Sequence, residues 1–299
     1  MAWVRKRKGR DGSARYLAGY TDPTGAQRSA GTFRNRSEAE RAGHGAERRV
    51  GDGTWLDRSA GKVLFAEYVS QSWWPSLHHL ELTTKAAYRS NLDAHFLPYF
   101  GGYPMSAITP SVVQGWVNQA VQHELSPRSI RKCHTLLHSL FKAAVRDRVI
   151  AYNPCEAITL PKVIKTRREP ISPEQFEKLL AAIPAQHRAL LPVGIETGMR
   201  WGELTPLGPR HLDPVNSRIS VAETIVEISK KDSPTGQRYT VKPYPKNDQH
   251  RLIKITPELT AVLQLRIASL SLRSDEDVHA APRSHNSAQA GSWSRNGPS

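Results

Sequence analysis

Three short runs near the start of the chain, AWVRKRK, RYLAGYT and RSAGTF, are separated by GRDGS and DPTGAQ, both rich in turn-forming residues. They predict a small antiparallel sheet over residues 2–33. Alternation along the first run puts Trp3, Arg5 and Arg7 on one face and Val4, Lys6 and Lys8 on the other. The following SEAERAGHGAERRVGDG begins at Ser37, a good N-cap, carries alanines and mixed charge, and stops at glycines, so it is predicted as a helix.

From about 62 to 152 the apolar spacing becomes helical throughout. KVLFAEYVSQSWWPSL is aromatic and amphipathic, and TTKAAYRSNLDAHFLPYFG ends at Gly101-Gly102. TPSVVQGWVNQAV starts with Thr109 as N-cap and Pro110 at the first helical position, and SPRSIRKCHTLLHSLFKAAVRDRVI repeats the device with Ser126 and Pro127. The last of these aligns Ile130, Cys133, Leu137, Leu140, Phe141 and Ala144 in one stripe. Four helices of this size predict a bundle.

NPCEAITLPKVIKTRREPISP, with its prolines and basic cluster, reads as an interdomain linker. Ser172 and Gln175 form a capping box ahead of SPEQFEKLLAAI. After HRALLPVGIETGMRWGEL come strand candidates RISVAETIVEI, QRYTVKPYP and RLIKI, with KNDQH turning between the last two, and Thr256-Pro257-Glu258 opens a final helix. Residues 271–299 contain Leu272, Val278 and Trp293 as their large apolar residues and are predicted to be disordered. The expected fold is multidomain, mainly α with small β parts: a sheet-plus-helix module at 1–60, a four-helix module at 61–152, a linker at 153–170, an incomplete α+β domain at 171–270, and a tail.

Charge narrows the partner. A formal net charge of +15 with pI near 10.0, spread along the chain rather than held in one tail, points to a polyanion, nucleic acid first and an anionic membrane surface second. Two cysteines, Cys133 and Cys155, cannot build a disulfide framework, and no apolar run reaches spanning length, so the expected location is cytoplasmic. Arg5 and Arg7 are then candidate DNA contacts on a sheet able to enter the major groove, with a solvated basic edge strand as the alternative. Lys85, Arg128, Arg131 and Lys132 in the helical block, and Arg167 and Arg168 in the linker, are further candidates; the cluster at 128–132 could equally face water. Cys133, His134 and His138 lack a second ligand pair at suitable spacing, so neither metal nor cofactor is expected.

Arg200 poses the sharpest question, because it directly follows the apolar ALLPVGIETGM, and a charge in such a place is usually paired or awaits a ligand. TGMRWGEL resembles the first arginine motif, T-G-x-R-x-x-E-L, of the tyrosine recombinases, the phage-type integrases in particular. YPKNDQHRLIKI is similar to that family's hairpin, in which a lysine precedes a short turn and a basic residue opens the next strand. The resemblance covers roughly residues 3–270 and is strongest at 197–204. It implies that Arg200 is the first catalytic arginine, Glu203 the acidic residue that helps to hold it, and Lys246 the catalytic lysine, with Lys242 a near competitor. Residues 1–60 then look like an arm-binding domain and 61–152 like a core-binding domain, acting on double-stranded DNA attachment sites alongside other protomers. The alternative for Arg200 and Glu203 is an ordinary structural ion pair three residues apart.

In the family a tyrosine attacks a DNA phosphate, forming a 3′-phosphotyrosyl link without metal or ATP, and a second arginine stands in an H-x-x-R motif. Here none of the twelve histidines is followed by arginine at the third position, and no tyrosine follows Tyr244. A frameshift or truncation is the simplest expectation, and the chain is expected to bind DNA without strand transfer. Two other functions stay open: a non-catalytic regulator or attachment-site competitor, and a sheet-type transcription factor acting through residues 1–60.

Overall fold

The predicted sheet forms as an antiparallel meander, β1 (Trp3–Lys8), β2 (Ala14–Thr21) and β3 (Gln27–Phe33), in the order β1-β2-β3. Asp22 makes the second turn: its carboxylate accepts from Thr24 N–H at 2.9 Å and Ala26 N–H at 3.0 Å, and also from Arg28 Nε at 2.8 Å. Trp3 lies across Gly19, where a Cβ would come within 2.2 Å of its ring. The structure is a computed structural model that describes residues 1–8, 12–57, 59–164, 169–230, 233, 236–243 and 250–270. The expected disorder of 271–299 therefore falls outside the described residues.

Helix α1 (Arg36–Gly51) is capped by Asn35, not by Ser37 as expected. Asn35 is extended, at φ −112° and ψ 136°, and its Oδ1 accepts from Ser37 N–H at 3.0 Å, so Ser37 already lies in the first turn. Ala39, Gly43 and Ala46 are buried at helical spacing, and the helix approaches the sheet closely: a Cβ on Gly43 would lie 3.5 Å from the Gly19 carbonyl oxygen. Trp55 Nε1 donates to Tyr20 Oη at 2.8 Å, tying the segment after α1 back to the sheet.

The helical block holds four helical segments, two of them interrupted. α2 (Phe65–Tyr68) continues as a π-turn over Val69–Trp73, and α3 (Leu82–Asn91) passes through a π-turn at Leu92–Phe96 into α4 (Leu97–Phe100). α5 (Pro110–Gln122) and α6 (Pro127–Arg146) start at Thr109 and Ser126, whose side chains accept from Val112 and Ser129 N–H. The six stripe residues of α6 are all buried, with Leu136. Aromatic rings fill the centre: Phe65 sits 5.6 Å from Phe100 and 6.0 Å from Phe141, and Phe96 is 5.5 Å from Trp116.

The chain divides into two compact units, residues 1–79 with 88–164, and 80–87 with 165–299. The second contains α7 (Pro173–Ala182), with the predicted capping box of Ser172 and Gln175, then α8 (Leu190–Thr197), α9 (Trp201–Leu204) and α10 (Pro257–Leu270). RISVAETIVEI is not one strand: it divides into β5 (Arg218–Val221) and β6 (Thr224–Glu227). β5 pairs with β4 (Leu212–Asp213) and with β8 (Arg251–Lys254), while β6 pairs with β7 (Tyr239–Lys242). Among the described residues, β7 and β8 thus lie in different sheets, whereas the sequence suggested that they pair with each other. Val193, Met199, Leu204, Ile219, Val221, Ile255, Leu259 and Leu263 form this unit's core.

Candidate nucleic-acid interface

The segment that carries Arg200 is built by local rules. α8 ends because Gly198 takes a left-handed conformation, φ +62°, and its N–H returns to the Gly194 carbonyl. Met199 is buried in the core and anchors the exit. Arg200 is extended, at φ −72° and ψ 154°, and stands as the residue before α9, where its N–H donates to Glu203 Oε2 at 2.9 Å. Gly202 allows the short helix to lie on β6: a Cβ there would come 2.6 Å from the Ile225 carbonyl oxygen and 2.7 Å from Thr224 Oγ1. With Glu203 and Leu204 facing inward, Arg200 and Trp201 face solvent.

Glu203 is the centre of the site. Its side chain is 2% exposed, yet its carboxylate accepts from Arg200 Nη1 at 3.1 Å, Arg251 Nη1 at 3.3 Å and Arg251 Nη2 at 2.7 Å, in addition to the Arg200 N–H. Burial alone would raise its carboxyl pKa. The hydrogen bonds from Arg251 and from the Arg200 N–H and guanidinium outweigh burial and hold it down to about 2. Two guanidiniums on one carboxylate leave a net charge of +1, and Arg200, 66% exposed, carries the accessible part. Such a group can meet a phosphate oxygen with charge-assisted hydrogen bonds. Arg251 was missed in the sequence. The signal for it was a basic residue opening the strand RLIKI, but nothing local indicates that it reaches Glu203.

The other predicted residues are distributed over both units. Arg5 and Arg7 are exposed on β1, and the Arg5 guanidinium lies 5.2 Å from the centre of the Trp3 ring. The register sets Arg7 opposite Arg15 and Arg5 opposite Leu17, so Arg15 joins the same face of the sheet. Arg128 and Lys132 are exposed on the first turns of α6, whereas Arg131 donates to the Pro161 carbonyl at 3.2 Å and so secures the following segment. Lys85 is half-buried on α3. Lys242 lies on β7 in an ion pair with Glu81. Lys246, Arg167 and Arg168 lie outside the described residues. Cys133 donates to Asn91 Oδ1 at 3.0 Å and His134 Nε2 lies 3.1 Å from the Cys155 carbonyl oxygen, so both contact groups of the protein itself. Among the described residues no His, Cys, Asp and Glu side chains are grouped so as to hold a metal ion.

Residues 65–121 match the phage integrase N-terminal SAM-like domain. The chain is 28% identical to the phiRv2 prophage integrase of Mycobacterium tuberculosis over 84% of its own length and 66% of that relative's. It is 26% identical to the integrase of Mycobacterium phage L5 over 65% of its length and 54% of the relative's, and 25% identical to a XerC-like tyrosine recombinase of Caldanaerobacter subterraneus over 62% and 51%. By sequence the chain is similar to the phage-type integrases of the tyrosine recombinase family.

Solved integrase structures share the fold. A lambda integrase tetramer bound to a Holliday junction aligns with a TM-score of 0.56 at 16% identity, covering 94% of this chain and 74% of that one. The Tn1549 transposon integrase in complex with a circular intermediate DNA aligns at 0.57 with 21% identity, covering 67% and 65%. The chain has the expected mainly helical architecture with small sheets, including the three-stranded sheet at its start. The matched span is less than two thirds of several relatives' length. No helix among its described residues is long and apolar enough to cross a membrane.

Proposed function

We propose that this chain is a site-specific recombination protein that binds double-stranded DNA at attachment sites, in the cytoplasm and alongside other protomers. The observation that carries the reading is the Glu203-held, solvent-facing Arg200 within TGMRWGEL. In strand transfer by this family negative charge builds on the nonbridging phosphate oxygens, and a guanidinium fixed before the reaction stabilises it without reorganising. Lys246 is the proposed proton donor to the leaving 5′-oxygen, a role open to a lysine whose pKa falls when it is desolvated against DNA. Residues 1–60 are proposed as the arm-type domain, 61–152 as the core-binding domain, 153–170 as the linker and 171–270 as part of the catalytic domain. The DNA contacts proposed are Arg5, Arg7, Lys85, Arg128, Arg131, Lys132, Arg167 and Arg168.

These 299 residues contain neither an H-x-x-R motif nor a tyrosine after Tyr244. Electrostatics can hold a phosphate but cannot replace a nucleophile, so a polypeptide of these residues alone is proposed to bind DNA without forming a covalent link. A suicide substrate carrying an attachment site tests both parts. Binding without an adduct is the expected result. A covalent protein–DNA adduct overturns the second part, and the absence of binding at low salt overturns the first.

A further inference from the structure

The two arginines on Glu203 are not equivalent. Arg251 places both Nη atoms on the two carboxylate oxygens, at 2.7 and 3.3 Å, and is 35% exposed. Arg200 places one Nη on the carboxylate, at 3.1 Å, and is 66% exposed. A carboxylate that is 2% exposed must be neutralised, and a two-point guanidinium contact is the strong way to do it. We propose that Arg251 is a positioning residue: it takes up the charge of Glu203, so that the Arg200 guanidinium remains available to a phosphate oxygen. Without Arg251, Arg200 is the neighbouring cation left to Glu203 among the described residues, and it turns inward onto both oxygens. The device also links the site to the sheet. Arg251 opens β8 opposite Val221 of β5, so it reaches Glu203 only when those strands are paired, although the two residues are 48 positions apart.

The last clause of the proposal rests on the reading of Arg200 as a phosphate ligand; the sharing of charge does not. Two measurements on the full chain separate them. The first is ¹⁵N relaxation at the Arg200 Nε–H, without DNA. Arg251→Gln should raise the order of the Arg200 guanidinium, which a single side-chain hydrogen bond to Glu203 holds in the parent, and adding Glu203→Gln, which removes the charge to be neutralised, should lower it again. The second is affinity for a 30-base-pair duplex. Arg200→Ala should weaken binding roughly tenfold, the scale of one charge-assisted hydrogen bond. Arg251→Gln should weaken it by a similar factor, Arg251→Lys by less, and the Arg251→Gln/Glu203→Gln pair should bind within about twofold of Glu203→Gln alone. A merely structural role for Arg251 predicts no such rescue, because the double variant removes more of the network than either single change. Unchanged Arg200 order in Arg251→Gln, or a double variant no better than Arg251→Gln, overturns the proposal. If Arg200→Ala binds DNA like the parent, the phosphate reading of Arg200 fails while the relaxation data still decide the charge sharing.

Discussion

A carboxylate that is 2% exposed and accepts hydrogen bonds from two arginines is a stability device in its own right. The Glu203 carboxyl is held at about 2 against an ordinary 4.5, so its stabilising contribution is complete above about pH 4.5 and is lost as pH falls toward 2. At neutral pH that shift corresponds to ~3 kcal/mol. Glu203→Gln should therefore lower the urea midpoint at pH 7 and flatten its dependence on pH between 4.5 and 2; a variant whose curve merely runs parallel to the parent's contradicts the assignment. Gly202 makes a second prediction at this scale. An alanine Cβ would meet the Ile225 carbonyl oxygen at 2.6 Å, a backbone atom that cannot rotate away. Gly202→Ala should cost about 1–3 kcal/mol and push Arg200 off its position, read as a lower Tm and weaker DNA binding together. The pairing of Arg200 with Glu203 was legible in the sequence because they stand three positions apart and a helix start brings them together. Arg251 was not, since its partner is chosen by strand register far along the chain.

At the scale of elements, the helices were read well because caps and apolar stripes are local. Thr109, Ser126 and Ser172 each accept the backbone N–H that their positions imply, and the α6 stripe is buried as spaced. The first helix start was misplaced by two residues, because Asn35 and Ser37 are both good caps and only the backbone decides between them. Asn35→Ala should destabilise α1 by about 1 kcal/mol while Ser37→Ala has little effect, measured as thermal midpoints of the full chain; the opposite order would favour Ser37 as the cap. Strand pairing was less legible than strand existence. RISVAETIVEI has the composition of one strand, yet it breaks at Ala222-Glu223, and its halves serve different partners, β8 and β7. Glu223 leaves the alternation to pair with Arg210, at 2.8 Å, and a charge pair of this kind has no signature in hydrophobic periodicity.

For the whole molecule the controlling quantity is charge. A chain with a net +15 that neutralises phosphates releases counterions, so its affinity for DNA should fall steeply with salt, by a logarithmic slope of about 0.9 for each phosphate contacted. That slope can be divided among parts of the chain without cutting it. Arg5 and Arg7 are exposed on the sheet face that also bears Trp3. Replacing both with glutamine should reduce the slope by about 1.8 if each holds one phosphate, with the loss of affinity uniform across sequences. If instead they read base edges, as a sheet in the major groove permits, the slope should change little and discrimination between an attachment site and random duplex should fall. An unchanged slope with unchanged discrimination would assign the face to solvent, the bland alternative for a basic edge strand. The measurement thus decides whether the first module contributes recognition or only solubility, and it does so in the full chain, where the fold of every other element is preserved.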